Sequence, residues 1–149
     1  MALKLSKIVR TTTAVATRTR AFAMTRVTND GKPLVFHVVA ATSENRPYLN
    51  EKLAYGSDVA ARLRATGNRV DADMVSANEA ADIAAFAKHI VKSWDNVVDD
   101  DGQPVPYSIE NAKDILTALG GEFDELKTFC ADRMNFTEQA LDSATVAKN

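Results

Sequence analysis

From Leu3 to Ala41 the chain alternates small or apolar residues with polar ones, as in KIVRTTTAVATRTRAFAMTRV, and then runs through KPLVFHVVAA. Period-two alternation among β-branched and aromatic residues predicts strands. Between the two runs, TNDGKP (Thr28–Pro33) holds Asp30-Gly31, a pair that accepts positive φ in a two-residue hairpin turn. The reading is an antiparallel hairpin centred on Asp30-Gly31, with Phe22, Met24, Phe36 and Val38 sharing one face.

After Ala41 the period changes to that of a helix. TSENRPYLNEKLAYG offers Ser43 or Asn45 as an N-cap and places Pro47 in the first turn, where its missing N–H costs nothing. Tyr48, Leu49, Leu53 and Tyr55 form the apolar side, and Gly56 reads as a break before a short second helix, SDVAARLRATG, closed by Gly67. Asn68 to Val75 reads as an exposed connection. Ser76 and Glu79 form an S-x-x-E capping box, after which Ala80, Ile83, Ala84, Ala87, Ile90, Val91 and Trp94 recur at helical spacing. The pattern therefore predicts one helix ending at Trp94. Two more helices follow: SIENAKDILTALGG, starting at Ser108 and ending at Gly120, then EFDELKTFCADRMNF with Phe123, Leu126, Phe129, Cys130, Met134 and Phe136. The expected core includes Ile83, Phe86, Ile90, Trp94, Ile115, Leu119, Phe123 and Leu126.

Composition narrows the class. A chain of 149 residues with 46% hydrophobic and 26% charged residues is that of one folded domain. The longest apolar run, Leu34–Ala41, is too short to cross a bilayer, so neither a membrane span nor a signal peptide is expected. The single cysteine, Cys130, excludes an internal disulfide and is read as a buried thiol in a reducing compartment. The formal net charge of −2 hides an asymmetry: residues 1–46 carry +6 and the remainder −8. That suits either a basic arm for an acidic partner or self-complementarity between copies.

Candidate chemistry is sparse. The aspartates of SWDNVVDDDGQPVPYS (Ser93–Ser108) suggest a calcium loop, but with Gly102 as its sixth residue the first and twelfth positions are Val97 and Ser108, neither of them the carboxylate required. The stretch reads instead as a hinge: Asp101-Gly102 turns the chain, Pro104 and Pro106 stiffen it, and Ser108 caps the next helix. His37 and His89 have no metal-ligand spacing, Cys130 has no local partner, and Gly120-Gly121 matches no phosphate-binding pattern. No catalytic residue, metal ligand or cofactor is expected, and the chain reads as a non-enzyme. Arg10, Arg18, Arg20 and Arg26 lack the interleaved aromatics that stack bases, so a solvated strand face is preferred to a nucleic-acid surface. Met24, Met74 and Met134 are candidates for core filling or for an adaptable contact surface.

The stretch Ile90–Phe136 resembles the tail assembly chaperones of long-tailed, non-contractile bacteriophages (siphoviruses, the lambda-type tail assembly proteins). The matching positions are Trp94, Val97, Asp99, Gly102, Pro104, Val105, Pro106, Tyr107 and Asn135-Phe136, with Asn45, Tyr48 and Leu49 upstream. The resemblance covers about the last two thirds of the chain and is weakest over the basic N-terminal part. It implies a non-catalytic assembly factor of the host cytoplasm. Such a factor binds the tape measure protein, recruits tail tube subunits, self-associates, and needs neither membrane nor cofactor. Trp94, Tyr107, Tyr48 and Leu49 are the partner-binding candidates. The alternative is a structural virion protein of the capsid, neck or tail, its β arm exchanged with neighbouring subunits. A third class, a nucleic-acid-binding regulator, would show steep salt dependence.

The expected fold is α+β: a basic β-rich region over residues 1–42, a helical body over 43–142, and a frayed tail over 143–149.

Overall fold

Two strands open the described part of the molecule: β1 (Arg20–Asn29) and β2 (Lys32–Val38), joined by Asp30 (φ 51°) and Gly31 (φ 76°). Positive φ at both turn residues matches the right-handed twist of the flanking strands, which is why an Asp-Gly pair forms the hairpin here. The computed structural model of the chain describes residues 15–137. The expected strand N-terminal to Arg20 is corrected where it can be seen: residues 15–17 form a helical turn that buries Val15 completely. The rest of that expectation, together with the 143–149 tail, lies outside the described residues.

The β1–β2 register runs from Arg20↔Val38 to Ala23↔Val35, then slips so that Thr28 faces Pro33. Residues 24–27 therefore stand against Leu34 alone, and Met24 folds inward to 1% exposure. Pro33 has no N–H to give the ladder, and an irregularity next to it costs little. Phe22 pairs with Phe36, and Met24, Phe36 and Val38 are fully buried, so the anticipated face forms.

Helix α1 spans Arg46–Ala65 and is capped by Asn45, whose side chain accepts from the Tyr48 N–H; Pro47 lies in the first turn. Gly56 does not break it. Mid-helix glycine costs only about 1 kcal/mol relative to alanine, and helical hydrogen bonding continues to Thr66, with Gly67 (φ 68°) and Asn68 (φ 65°) turning the chain. Helix α2 spans Ala72–His89, its N-cap being Asp71, which accepts from Met74 N–H at 2.9 Å. Ser76 thus lies inside the helix. The S-x-x-E match loses to an aspartate five residues earlier, because a helix extends to the first good cap available.

A larger correction concerns Ile90–Trp94. Helix α2 ends at His89, and Val91–Asp95 forms a third strand, β3, antiparallel to β2 and ordered β1-β2-β3 in the sheet. Trp94 faces Phe36 across the ladder rather than ending a helix. Spacing of i, i+1 and i+4 fits a helix, but it also fits a strand with a bulge, and the ladder slips once between His37 and Val38. The edge of β2 away from β1 decides the matter, since pairing with β3 from Val35↔Asp95 to Val38↔Val91 gives its backbone groups partners; Val39 N–H to Ile90 carbonyl (3.0 Å) extends the pairing.

Helix α3 (Ile109–Leu119) starts at Ser108, which accepts from Asn111 N–H at 3.0 Å, and stops at Gly120 (φ 58°). A single 3-10 turn (Gly120–Glu122) leads into α4 (Phe123–Ala131), and a second (Arg133–Phe136) follows. The molecule is thus an α+β protein, a three-stranded antiparallel sheet whose one face is covered by helices. Phe36, Met24, Ile90, Val91, Leu116, Leu126, Cys130 and Phe136 are buried to within 2%. Each such side chain stabilises by about 1.5–3 kcal/mol. Of the expected core, Phe86, Ile90, Phe123 and Leu126 are buried, while Ile83, Trp94, Ile115 and Leu119 pack against it half-buried. Phe22 stacks on Phe129 at 4.5 Å, and Ala41 N–H reaches the Cys130 carbonyl at 2.9 Å, so α4 is fastened to the sheet at two points.

Candidate interaction surface

The stretch Asp95–Ser108, between β3 and α3, is a closed loop rather than a hinge between two helices. Asp99 carboxylate accepts from the N–H groups of Asp101 and Gln103, both at 2.9 Å, and Gly102 (φ 78°) takes the positive-φ position. Val105 N–H returns to the Val97 carbonyl at 3.0 Å. The Asp99 oxygen that sequence reading offers to calcium is thereby occupied by backbone donors. No cluster of three or more His, Cys, Asp or Glu able to hold a metal is present among the described residues.

Trp94 and Tyr107 meet across this loop, their ring centroids 5.3 Å apart and tilted by 56°. Trp94 indole N–H donates to the Val105 carbonyl at 2.8 Å, and Tyr107 hydroxyl donates to the Ala87 carbonyl at 3.1 Å. Partial burial pushes the Tyr107 phenol above its ordinary pKa. The pair braces the loop against α2 from inside, although Tyr107 keeps 39% of its surface exposed. Tyr48 is placed elsewhere, edge-on to Phe86 at 5.9 Å and 88°, with its phenol pKa also raised, first by burial and then by the Asp82 charge. Leu49 is half-buried beside it in the first turns of α1. The four partner-binding candidates are therefore split between two places and are largely engaged in internal packing.

Among the described residues no helix covers the sheet's other face. His37 Nε2 lies 2.9 Å from Asp95 Oδ2 on it. The sequence hides this pair because the acid is 58 residues away and only strand pairing joins them. The N-terminal arginines do not form one basic face: Arg18 donates to the Phe136 carbonyl at 2.9 Å, Arg20 has a buried guanidinium nitrogen, and Arg26 is exposed. Arg10 lies outside the described residues.

The remaining feature was not legible as a site. Helices α1 and α2 form an antiparallel arm, and not one residue of α1 is buried. Ion pairs hold the arm's base: Asp82 with Lys52, Lys127 with Asp82 (3.8 Å), and Lys88 with Glu51 (3.2 Å). Its far end carries Val70 (69% exposed) and Val75 (50%), and Leu53 (61%) projects from the side of α1. A groove of about 200 Å³ opens between the helices there, lined by Tyr55, Val59, Leu63, Val70, Met74 and Val75, with Arg62 and Asn78 as its polar lining. A break at Gly56 and a helix start at Ser76, as the local signals suggest, divide this arm into pieces that the structure joins. Of the three methionines, Met24 fills the core, Met74 lines the groove and Met134 is exposed.

No helix among the described residues is long and apolar enough to cross a membrane. The described fold is that of a small α+β protein with a helical arm, apolar in the groove at its far end, beside a three-stranded sheet. The family model of the YdaY prophage proteins matches residues 43–148, and the chain belongs to this family. It is a phage-derived protein. The match begins at Ser43, after β1 and β2, and takes in the arm, β3, the braced loop, α3 and α4. No curated protein and no solved structure matches the chain.

Proposed function

We propose that this phage-derived protein is a non-catalytic tail assembly chaperone of the host cytoplasm. It binds the tape measure protein and brings tail tube subunits to it. The observation that carries the reading is the α1–α2 arm, a helix pair that keeps Leu53, Val70 and Val75 in solvent while the body beside it packs a closed core. Apolar side chains grouped on such a surface mark contact sites. Helices that lie in apolar grooves are a recurrent mode of client recognition. The aromatic–proline block that resembles tail assembly chaperones acts here as internal bracing, so the reading leans on the arm rather than on Trp94 or Tyr107.

Co-expression with the tape measure protein of the same prophage tests it. The expected result is a soluble complex in gel filtration and suppressed light scattering by the tape protein. Aggregation of the tape protein at an unchanged rate, with no complex, would overturn the reading.

A second reading, a resident capsid, neck or tail component, is favoured by one observation: β1 is an edge strand among the described residues, with Ala21, Ala23 and Arg26 exposed, and could accept a strand from a neighbouring subunit. Mass spectrometry of induced, purified particles separates the two readings. A chaperone is missing from the particle, and a structural component is present in many copies.

A further inference from the structure

We infer that the groove at the far end of the α1–α2 arm is the client-binding site, and that its occupant is an amphipathic helix of a partner protein with acidic side chains flanking the apolar stripe. The inference rests on the assembly-factor reading for the identity of the partner, but its location and chemistry come from the arm itself.

The shape of the groove selects a helix. Six apolar side chains from α1, α2 and the connection between them line a trough of about 200 Å³ that is open along one side. A trough of that size takes a few side chains of a partner rather than a whole element, which is how one row of an i, i+3, i+4, i+7 stripe is held. The charges select its sign. Arg62 is the one charged residue lining the groove, and Arg64 and Arg69 lie close by along the chain. None of the three forms an ion pair among the described residues. The acids near them in the chain are Asp58, one turn before Arg62, and Asp71 and Asp73; none of these forms an ion pair among the described residues, and Asp71 has a carboxylate oxygen engaged in capping α2 through the Met74 N–H. At the arm's base the pattern is the reverse, with Lys52, Lys88 and Lys127 all matched to carboxylates. Apolar surface and a positive charge outside any ion pair thus coincide at the groove, and a carboxylate-flanked helix satisfies both at once.

Two synthetic helices test this, with identical apolar stripes flanked by glutamates in one and lysines in the other. Each is titrated against the wild-type chain, Arg62→Glu and Val75→Glu; both positions lie on the arm's surface, and circular dichroism checks that the variants fold. The glutamate helix is expected to bind, with its lysine twin and both variants weaker by about tenfold or more. Equal binding of the twins, or wild-type binding by the variants, overturns the inference. Segments of the tape measure protein form the second arm of the test. If the glutamate helix binds at the groove and no tape segment does, the groove stands and the chaperone reading falls. If tape segments bind and Val75→Glu leaves that binding intact, the chaperone reading stands and the groove falls. Sedimentation of the chain alone completes the test: a dimer dissolved by Val75→Glu assigns the groove to a second copy and overturns the inference.

Discussion

The buried side-chain amide of Asn45 donates to the carbonyl of Ala40 at 3.0 Å, tying the chain just beyond β2 to the start of α1. The same nitrogen reaches the His89 carbonyl at 3.3 Å, and the side-chain oxygen caps α1 through Tyr48 N–H at 3.3 Å. One residue therefore joins the sheet and the ends of both arm helices. Asn45→Ala removes the cap and leaves two carbonyls without a donor, so it should cost about 2–4 kcal/mol. Denaturant unfolding measures the loss; a change below about 0.5 kcal/mol would show that the junction is held by other contacts.

Gly56 lies in mid-helix with nothing within 4 Å of the position a Cβ would take. Gly56→Ala should stabilise the protein by about 0.5–1 kcal/mol, through helix propensity and a less flexible unfolded chain. Thermal melting checks it. Destabilisation would mean that α1 is interrupted at this point after all.

Trp94 and Tyr107 brace one loop, so their contributions should be coupled. Trp94→Phe and Tyr107→Phe each remove one hydrogen bond to a carbonyl, costing about 1 kcal/mol apiece. A double-mutant cycle on Trp94→Ala and Tyr107→Ala should report an interaction of about 0.5–1.5 kcal/mol. Additive losses would separate the two rings.

Burial pushes the Cys130 thiol far above the ordinary thiol pKa, and its side chain is closed to solvent. A disulfide reagent at neutral pH should leave the native protein unmodified and react only as the chain unfolds. Rapid labelling without denaturant would show that α4 opens from the sheet on its own.

Glu44 is held below the usual carboxylate pKa, chiefly by the Thr42 hydroxyl that donates to it, and also by Arg133, whose Nε lies 2.6 Å from the other carboxylate oxygen. Burial opposes the shift. A carboxyl whose folded pKa is lowered stabilises the fold above its unfolded pKa, and this is lost as pH falls through the folded value. Stability should therefore decline on acidification through and below the ordinary carboxylate range. Glu44→Gln should flatten that part of the profile, read from urea midpoints at neutral and acidic pH.

Strong local rules were readable. Asp30-Gly31 made the hairpin, because two adjacent positive-φ positions leave few alternatives. Ser108 and Gly120 bounded α3, and Asn45 with Pro47 opened α1, because capping chemistry acts over one turn of chain. The α+β class follows from the change of period near Ala41.

Tertiary structure decided the rest. Val91–Asp95 carries a pattern open to helix or strand, and the unpaired edge of β2 selected strand because its N–H and C=O groups needed partners. Gly56 and Ser76 were weak local signals: a mid-helix glycine costs too little to end α1, and the Asp71 cap starts α2 five residues before Ser76. The His37–Asp95 pair and the apolar groove at the arm's far end unite residues distant in sequence or assigned to different elements. A linear pattern reports which residues prefer burial or turning, while distance between side chains is set only when strands and helices have chosen their neighbours.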